Sequence, residues 1–285
     1  MKRMIFNEIE INSAYILGIE KAYRGKMLEE DLQNCGITAI RVYGPDLREK
    51  SNVYETFNIN RKIVRMQIHR DLLLGEIGCY IGHLQIYEEF LKTNQEWALV
   101  LEDDVKIVGD LSTLKKIEYP RIGKHILQLH DHLPNLKILK SLIDKSRIFV
   151  TNDSVSFQRI IRPLFGSSAY IINRAAAEFA LEDYKKLGIY GTFDWPINWI
   201  ANITYWRSDY QPFFHDTNGT NTVIDPKSIR LNDTWSSLRK ITEVILYGTG
   251  LWSIRLKFSG FNFLSTYSYG AKIISYRIRY FFDKI

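Results

Sequence analysis

The sequence predicts an α/β fold, a mixed and mainly parallel sheet flanked by helices, and three observations predict it. The chain opens as strand, helix, strand: Ala14–Ile19 (AYILGI), a helical stretch with Met27, Leu28 and Leu32 apolar, then Thr38–Tyr43 (TAIRVY). Two apolar runs joined by a helix read as a βαβ unit and imply parallel pairing. Further on, Trp97–Val105 (WALVLEDDV) carries four apolar residues straight into Glu102, Asp103 and Asp104, the pattern of a buried strand that ends in charge. Third, the run Ala169 to Ile172 enters an alanine-rich helical stretch at Asn173, a natural N-cap.

Taken in order, the first strand gives way to Glu20-Lys21-Ala22-Tyr23-Arg24, and the helix after it stops at Gly36. The second strand closes on Gly44-Pro45-Asp46. Glu49–Arg70 is polar, with Arg61, Lys62, Arg65 and Arg70, and is expected to be an insertion or mobile loop. Its cations suit an anionic ligand or, more commonly, a solvated face. Gly75 to His83 (GEIGCYIGH) opens a helix whose Tyr80, Leu84, Tyr87 and Leu91 repeat at i, i+4, i+7 and i+11, an amphipathic pattern. Gly75 and Gly78 suit a tight entry. Thr93 and Asn94 end that helix, so it is expected to pack against the acidic strand.

Three consecutive carboxylates repel one another and are easiest to tolerate under a cation or in water. Hard divalent ions take carboxylate oxygens together with substrate phosphates. Ligands of open α/β sheets bind beyond the carboxyl ends of the strands. The triplet therefore reads as a metal–diphosphate site, although by itself an acidic loop after a core strand explains so short a motif as well or better. On an extended chain Glu102 and Asp104 point to one side, toward metal and nucleotide, and Asp103 faces away or holds the loop.

Downstream, His125–Leu129 (HILQL) is a further strand, followed by His130, Asp131 and His132. A His–X–His metal site is not favoured there, because the triplet already supplies hard ligands. Gly166-Ser167-Ser168-Ala169-Tyr170 lets a backbone or ligand approach closely. Gly188–Trp199 (GIYGTFDWPINW) places Asp194 between Phe193 and Trp195. A carboxylate there can receive a proton from a hydroxyl; an Asp shortly before Pro196 is also a good helix cap. The cap is the preferred reading, and the two are compatible. Asn218-Gly219-Thr220-Asn221 is a turn.

The expected division is one globular unit, residues 1–235, and a C-terminal segment, residues 236–285. Residues 252–285 hold six Lys or Arg against one acid, Asp283, so this tail contributes +5 of the net +6. It also carries ten aromatic residues, among them Trp252, Phe263 and Tyr280. Basic and aromatic residues without a spanning length suggest attachment to an anionic membrane surface. No run of about eighteen apolar residues predicts a transmembrane helix, and MKRMIFNEIEI does not read as a signal peptide. Cys35 and Cys79 are too few for a disulfide framework and fit a reducing compartment. The pI near 9.1 calls for an anionic partner, but no nucleic-acid motif is present and the cations concentrate in the tail.

GEIGCYIGH, its helix and ALVLEDDV at this spacing resemble glycosyltransferase family 25, the bacterial lipopolysaccharide and lipooligosaccharide glycosyltransferases together with collagen galactosyltransferases. The resemblance runs from about Ala14 to Asn221. It implies a GT-A-like, Rossmann-like nucleotide-sugar fold, a UDP-sugar donor, a divalent ion (Mn²⁺ or Mg²⁺) and transfer with inversion. It implies galactose as the sugar and a lipooligosaccharide or other glycan acceptor, at the inner face of the bacterial cytoplasmic membrane. On the matching positions, Glu102 and Asp104 are expected to hold the metal with the late His215. Glu102, Asp103, Arg24 and Glu20 are expected to face the donor, and Asp194 to act as the base. Two departures stand out: the opening loop Gly18-Ile19-Glu20-Lys21 lacks the family's Asn, and Gly82 replaces the usual Ser before His83. They keep open a non-catalytic member that binds a glycan or membrane partner. A two-metal phosphohydrolase would need a second acidic or His cluster, which the sequence lacks.

Overall fold

The computed structural model describes residues 6–48, 52–68, 70–120, 122–130, 143–151, 155–160, 166–194 and 196–215. The chain begins with β1 (Phe6–Glu10) and β2 (Ser13–Gly18), then α1 (Lys26–Asn34) and β3 (Thr38–Tyr43). Two short helices, α2 (Val53–Thr56) and α3 (Arg61–Ile68), precede the long α4 (Leu74–Leu91), β4 (Trp97–Glu102) and β5 (Val105–Ile107). Next come α5 (Ser112–Lys115), β6 (Lys116–Pro120), β7 (His125–Gln128), β8 (Ile143–Thr151) and β9 (Val155–Ile160). The described part ends with β10 (Ala169–Asn173), α6 (Arg174–Leu187), α7 (Ile197–Asn202), β11 (Thr204–Ser208) and β12 (Phe213–His215).

The central sheet is mixed and has eight strands in the order β3-β2-β4-β10-β7-β11-β9-β8. Parallel pairing joins β2 to β3, β2 to β4, and β7 to β11; the other neighbours are antiparallel. Strand β2 connects through α1 to β3 on one side, and the chain then returns to place β4 on its other side. That reversal opens a crevice beyond the carboxyl ends of β2 and β4, the position at which open α/β sheets bind ligands.

Strand alternation sorts the core into two layers. Tyr15, Leu17, Ala98 and Val100 pack on one face with α4 and α6. Ala14, Ile16, Trp97, Leu99 and Leu101 pack on the other with Leu28 and Leu32 of α1. Burial on both faces is why β4 is apolar throughout before Glu102.

Two expectations are corrected. The stretch Glu49–Arg70 is not a loop within the described residues: α2 and α3 form there, with Val53, Ile63 and Val64 buried and Asp71 bridging Arg61 and Arg65 at 2.7 Å each. Helix α4 forms as expected but is not one-sided. Ile77, Tyr80, Ile81, Gly82, His83, Leu84, Ile86, Tyr87 and Phe90 are all buried, because the helix lies between the sheet and α6. It crosses so close to β2 that a Cβ on Gly82 would sit 2.5 Å from Leu17 Cδ1 and 3.2 Å from Gly44 Cα.

Asn173 caps α6 as expected, its Oδ1 accepting from Ala176 N at 3.1 Å. Asp194 does not cap a helix. Helix α7 starts at Ile197 with Pro196 in the cap position, two residues beyond Asp194. The turn at residues 218–221 and the segment 236–285 lie outside the described residues.

Candidate active site

The acidic triplet sits at the crevice, and strand alternation distributes its side chains. Glu102 continues the Ala98–Val100 face and meets α4: its Oε1 lies 3.5 Å from His83 Nε2 and accepts from Ser167 Oγ at 3.0 Å. Asp103 continues the Leu99–Leu101 face and meets the loop before α1. Its carboxylate accepts from Arg24 N at 3.1 Å and Arg24 Nη2 at 3.0 Å. Gly18 leaves room for this contact, since a Cβ there would lie 2.8 Å from Asp103 Oδ2. Asp103 is thus the residue that holds the loop.

Asp104, in the turn after β4, accepts from Arg24 Nη2 at 3.0 Å and from His215 Nε2 at 3.2 Å, both through Oδ2. His215 arrives because β12 pairs antiparallel with β5, which sets it opposite Val105. His130 Nδ1 stands 3.1 Å from the Phe213 carbonyl and steadies that strand; its sequence neighbours Asp131 and His132 lie outside the described residues. Ligand atoms of Glu102, Asp104 and His215 all fall within 4.8 Å of one another.

Mutual charge sets the ionisation states. Burial raises the Asp104 carboxyl, but the His215 hydrogen bond and the Arg24 charge outweigh it and leave the group below its usual range. Burial prevails at Asp103, whose pKa is raised despite Arg24. The hydrogen bond to Asp104 raises His215 against the opposing effect of burial. Arg24 is also raised, because the two aspartates overcome its desolvation. The repulsion expected of three adjacent carboxylates is therefore relieved in part by Arg24, which is ion-paired rather than solvated. Glu20 is exposed at the start of the short turn Glu20–Ala22, and no hydrogen bond or ion pair from it to the triplet is seen among the described residues.

Across the Ser167 bridge lies Asp194. Burial and the Glu102 charge raise its pKa to about 6, with Ser167 hydrogen bonds opposing. Its buried Oδ1 meets no hydrogen-bond partner among the described residues. Asp194 and Ser167 border a cavity walled by Tyr170, Phe193, Trp199 and Tyr205. The loop bearing Asp194 is anchored from behind by the buried Asp183, which accepts from Trp199 Nε1 at 2.8 Å, Asn198 Nδ2 at 2.5 Å and the Tyr190 hydroxyl. Sequence reasoning missed Ser167 as the link between two carboxylates. Its signal was the small-residue run entering β10, which pairs with β4 and brings Ser168 O to Glu102 N at 2.9 Å.

A family model described as glycosyltransferase family 25 (LPS biosynthesis protein) matches residues 11–194. That span takes in the β2 crevice, α4, the triplet and Asp194. The chain belongs to glycosyltransferase family 25. Individual relatives agree. A Haemophilus influenzae protein named "Putative glycosyltransferase" is 23% identical over 188 residues, 64% of this chain and 61% of that protein. Proteins named "Glycosyltransferase 25 family member" from Anopheles gambiae and Aedes aegypti are 46% and 49% identical over 37 residues, 13% of this chain and 6% of theirs. The chain thus spans less than two thirds of the length of each of these relatives. His215 lies beyond the matched span of the family 25 model, so its place at the site comes from the β5–β12 pairing alone. Among the described residues no helix is long and apolar enough to cross a membrane.

Proposed function

We propose that this chain is a metal-dependent, inverting glycosyltransferase that moves galactose from UDP-galactose to a lipooligosaccharide or lipopolysaccharide core acceptor. The observation that carries the metal-dependent reading is Asp104. Its Oδ2 is engaged by Arg24 and His215, while its buried Oδ1 meets no hydrogen-bond partner among the described residues. An orphaned buried oxygen costs about 1–3 kcal/mol. Two carboxylate oxygens and an imidazole nitrogen at this spacing fit a Mn²⁺-like ion. Such an ion supplies charge stabilisation to the departing nucleoside diphosphate.

The chain's own groups supply the rest. Arg24 places a fixed cation beside the donor crevice, where negative charge develops on the leaving group. Asp194 takes the acceptor hydroxyl proton while the acceptor oxygen bonds to the anomeric carbon and the bond to UDP breaks. A pKa near 6 suits that role: the group is ionised at neutral pH yet more basic than a free carboxylate. The cavity walled by Phe193, Trp199 and Tyr205 gives the base a largely apolar surround.

The family description, LPS biosynthesis, supports the acceptor class. Galactose rests on the resemblance to family 25. The basic aromatic segment 236–285 supports binding to an anionic inner-membrane surface, which liposome flotation with and without residues 252–285 tests. The activity is tested by UDP release from a panel of UDP-sugars with Mn²⁺ and then with chelator. Release from UDP-galactose that chelator abolishes is the expected result. Glycan binding without turnover, with any donor and acceptor, would identify a non-catalytic member instead.

A further inference from the structure

We infer that Cys79, His83 and Glu102 form a second cation subsite, selective for a zinc-like ion, which shares Glu102 with the hard-ion site and competes with it. The competition rests on the proposed role of Glu102; the existence of the subsite does not.

Cys79 and His83 are one turn apart on α4 and so share a face. Cys79 Sγ, His83 Nε2 and a Glu102 oxygen lie within 4.8 Å of one another. His83 is completely buried, and its ring is fixed by stacking on Phe193 at 3.9 Å. Its Nδ1 is 2.8 Å from the Tyr170 hydroxyl, which is 2.9 Å from that of Tyr87. This is the outer-shell bond that orients a ligating imidazole. The other nitrogen, Nε2, has no hydrogen-bond partner among the described residues and is aimed at Glu102 from 3.5 Å, too far for a good hydrogen bond.

Neither tautomer satisfies that nitrogen. If Nδ1 donates to Tyr170, Nε2 turns a lone pair toward a carboxylate and is repelled. If Nε2 carries the proton, it makes only the long contact. A cation between them satisfies thiolate, imidazole and carboxylate together. That donor set, three protein ligands with an open position, is one that zinc takes, whereas Mg²⁺ and Mn²⁺ prefer oxygen. Glu102 is partly exposed and gives the ion an entry route. As the S–metal bond forms, the Cys79 proton passes to solvent. An ion held here draws Glu102 toward α4 and away from Asp104 and His215.

The test is a Co²⁺ titration of the full-length protein, followed by the thiolate-to-cobalt charge-transfer band. The band should appear in the wild type, vanish in Cys79→Ser and weaken at least tenfold in apparent affinity in His83→Gln. It should persist in Cys35→Ser and His215→Gln, and Zn²⁺ should abolish it. No band in the wild type, or an unchanged band in folded Cys79→Ser, overturns the subsite. Zn²⁺ inhibition of Mn²⁺-supported UDP release should weaken at least tenfold in Cys79→Ser; equal inhibition overturns the competition. A band without any Mn²⁺-dependent turnover would leave the subsite standing and remove the proposed activity instead.

Discussion

His215 Nε2 lies 3.2 Å from Asp104 Oδ2, so the β5–β12 ribbon closes onto the carboxyl end of β4. The pair joins the latest described strand to the acidic triplet, and in the proposed metal site it makes affinity depend on a residue more than a hundred positions away in the chain. His215→Gln keeps a polar group of similar reach but removes the imidazole ligand. Mn²⁺ affinity should fall about 10–100-fold, with turnover recovered at high Mn²⁺. Because the hydrogen bond to Asp104 raises the His215 pKa, a metal must displace a proton that is bound more tightly than usual. Wild-type Mn²⁺ affinity should therefore drop on acidification more steeply than that of His215→Gln, measured by calorimetry across pH.

Asp104→Ala removes both the engaged and the orphaned oxygen. UDP release should fall by at least about 10²-fold, the scale of losing one transition-state stabiliser, while circular dichroism stays that of a folded protein. The same protein should bind Mn²⁺ no better than the background of an unrelated acidic protein. Retained metal-dependent turnover would remove Asp104 from the site.

Much of this arrangement was legible because it is local. Strand alternation and the abrupt change from Leu101 to Glu102 announce β4, and Asn173 announces α6 through a cap that needs only Ala176 three residues on. What the sequence hides is contact between distant residues. Arg24 reads as a loop cation until β2 and β4 pair and bring it to Asp103 and Asp104. Ser167 reads as a small spacer until β10 pairs with β4. The amphipathic reading of α4 undercounted its buried faces, because α6 covers the side that would otherwise meet water. Asp194 failed as a cap for a local reason: Pro196, not Asp194, takes the position before the first turn of α7.

Asp194 gives a pH prediction with a definite sign. Its folded pKa, about 6, is above the ordinary aspartate value, so the folded protein holds this proton more tightly than the unfolded chain. Stability from this group is greatest below its unfolded pKa and is lost as pH rises through about 6. Asp194→Asn, which never ionises, should therefore be more stable than wild type at pH 7 by about 1–3 kcal/mol, and the gap should close toward pH 4. Activity follows the opposite sign. If Asp194 is the base, as proposed, it works only when ionised, so kcat/KM should fall about tenfold per unit below the apparent pKa. Neutralising Glu102 with a divalent ion removes one of the charges that raise Asp194, so that limb should shift to lower pH as Mn²⁺ is increased. Asp194→Asn should lose this limb together with about 10²–10⁴-fold of the rate.

Gly82 tests whether the family's usual serine could be restored. The position is not a loop glycine but the point where α4 meets β2, with Leu17 Cδ1 2.5 Å and Gly44 Cα 3.2 Å from a Cβ placed there. Leu17 belongs to a buried core cluster that also holds Tyr15 and Val42, and the Gly44 backbone is held by the hydrogen bond that its N–H donates to Gly18 O at 2.9 Å. Gly82→Ser therefore pushes α4 away from the sheet despite the better helix propensity of serine. Overpacking of this kind costs about 1–3 kcal/mol, against a propensity gain of about 0.5 kcal/mol. A lower Tm is expected. Since α4 also carries His83 against Glu102, Mn²⁺ affinity should weaken with it. A partner substitution, Leu17→Ala, removes the atom in the way, and the double variant should lose less stability than the sum of the two single changes. Strict additivity would mean that Leu17 is not what excludes the serine.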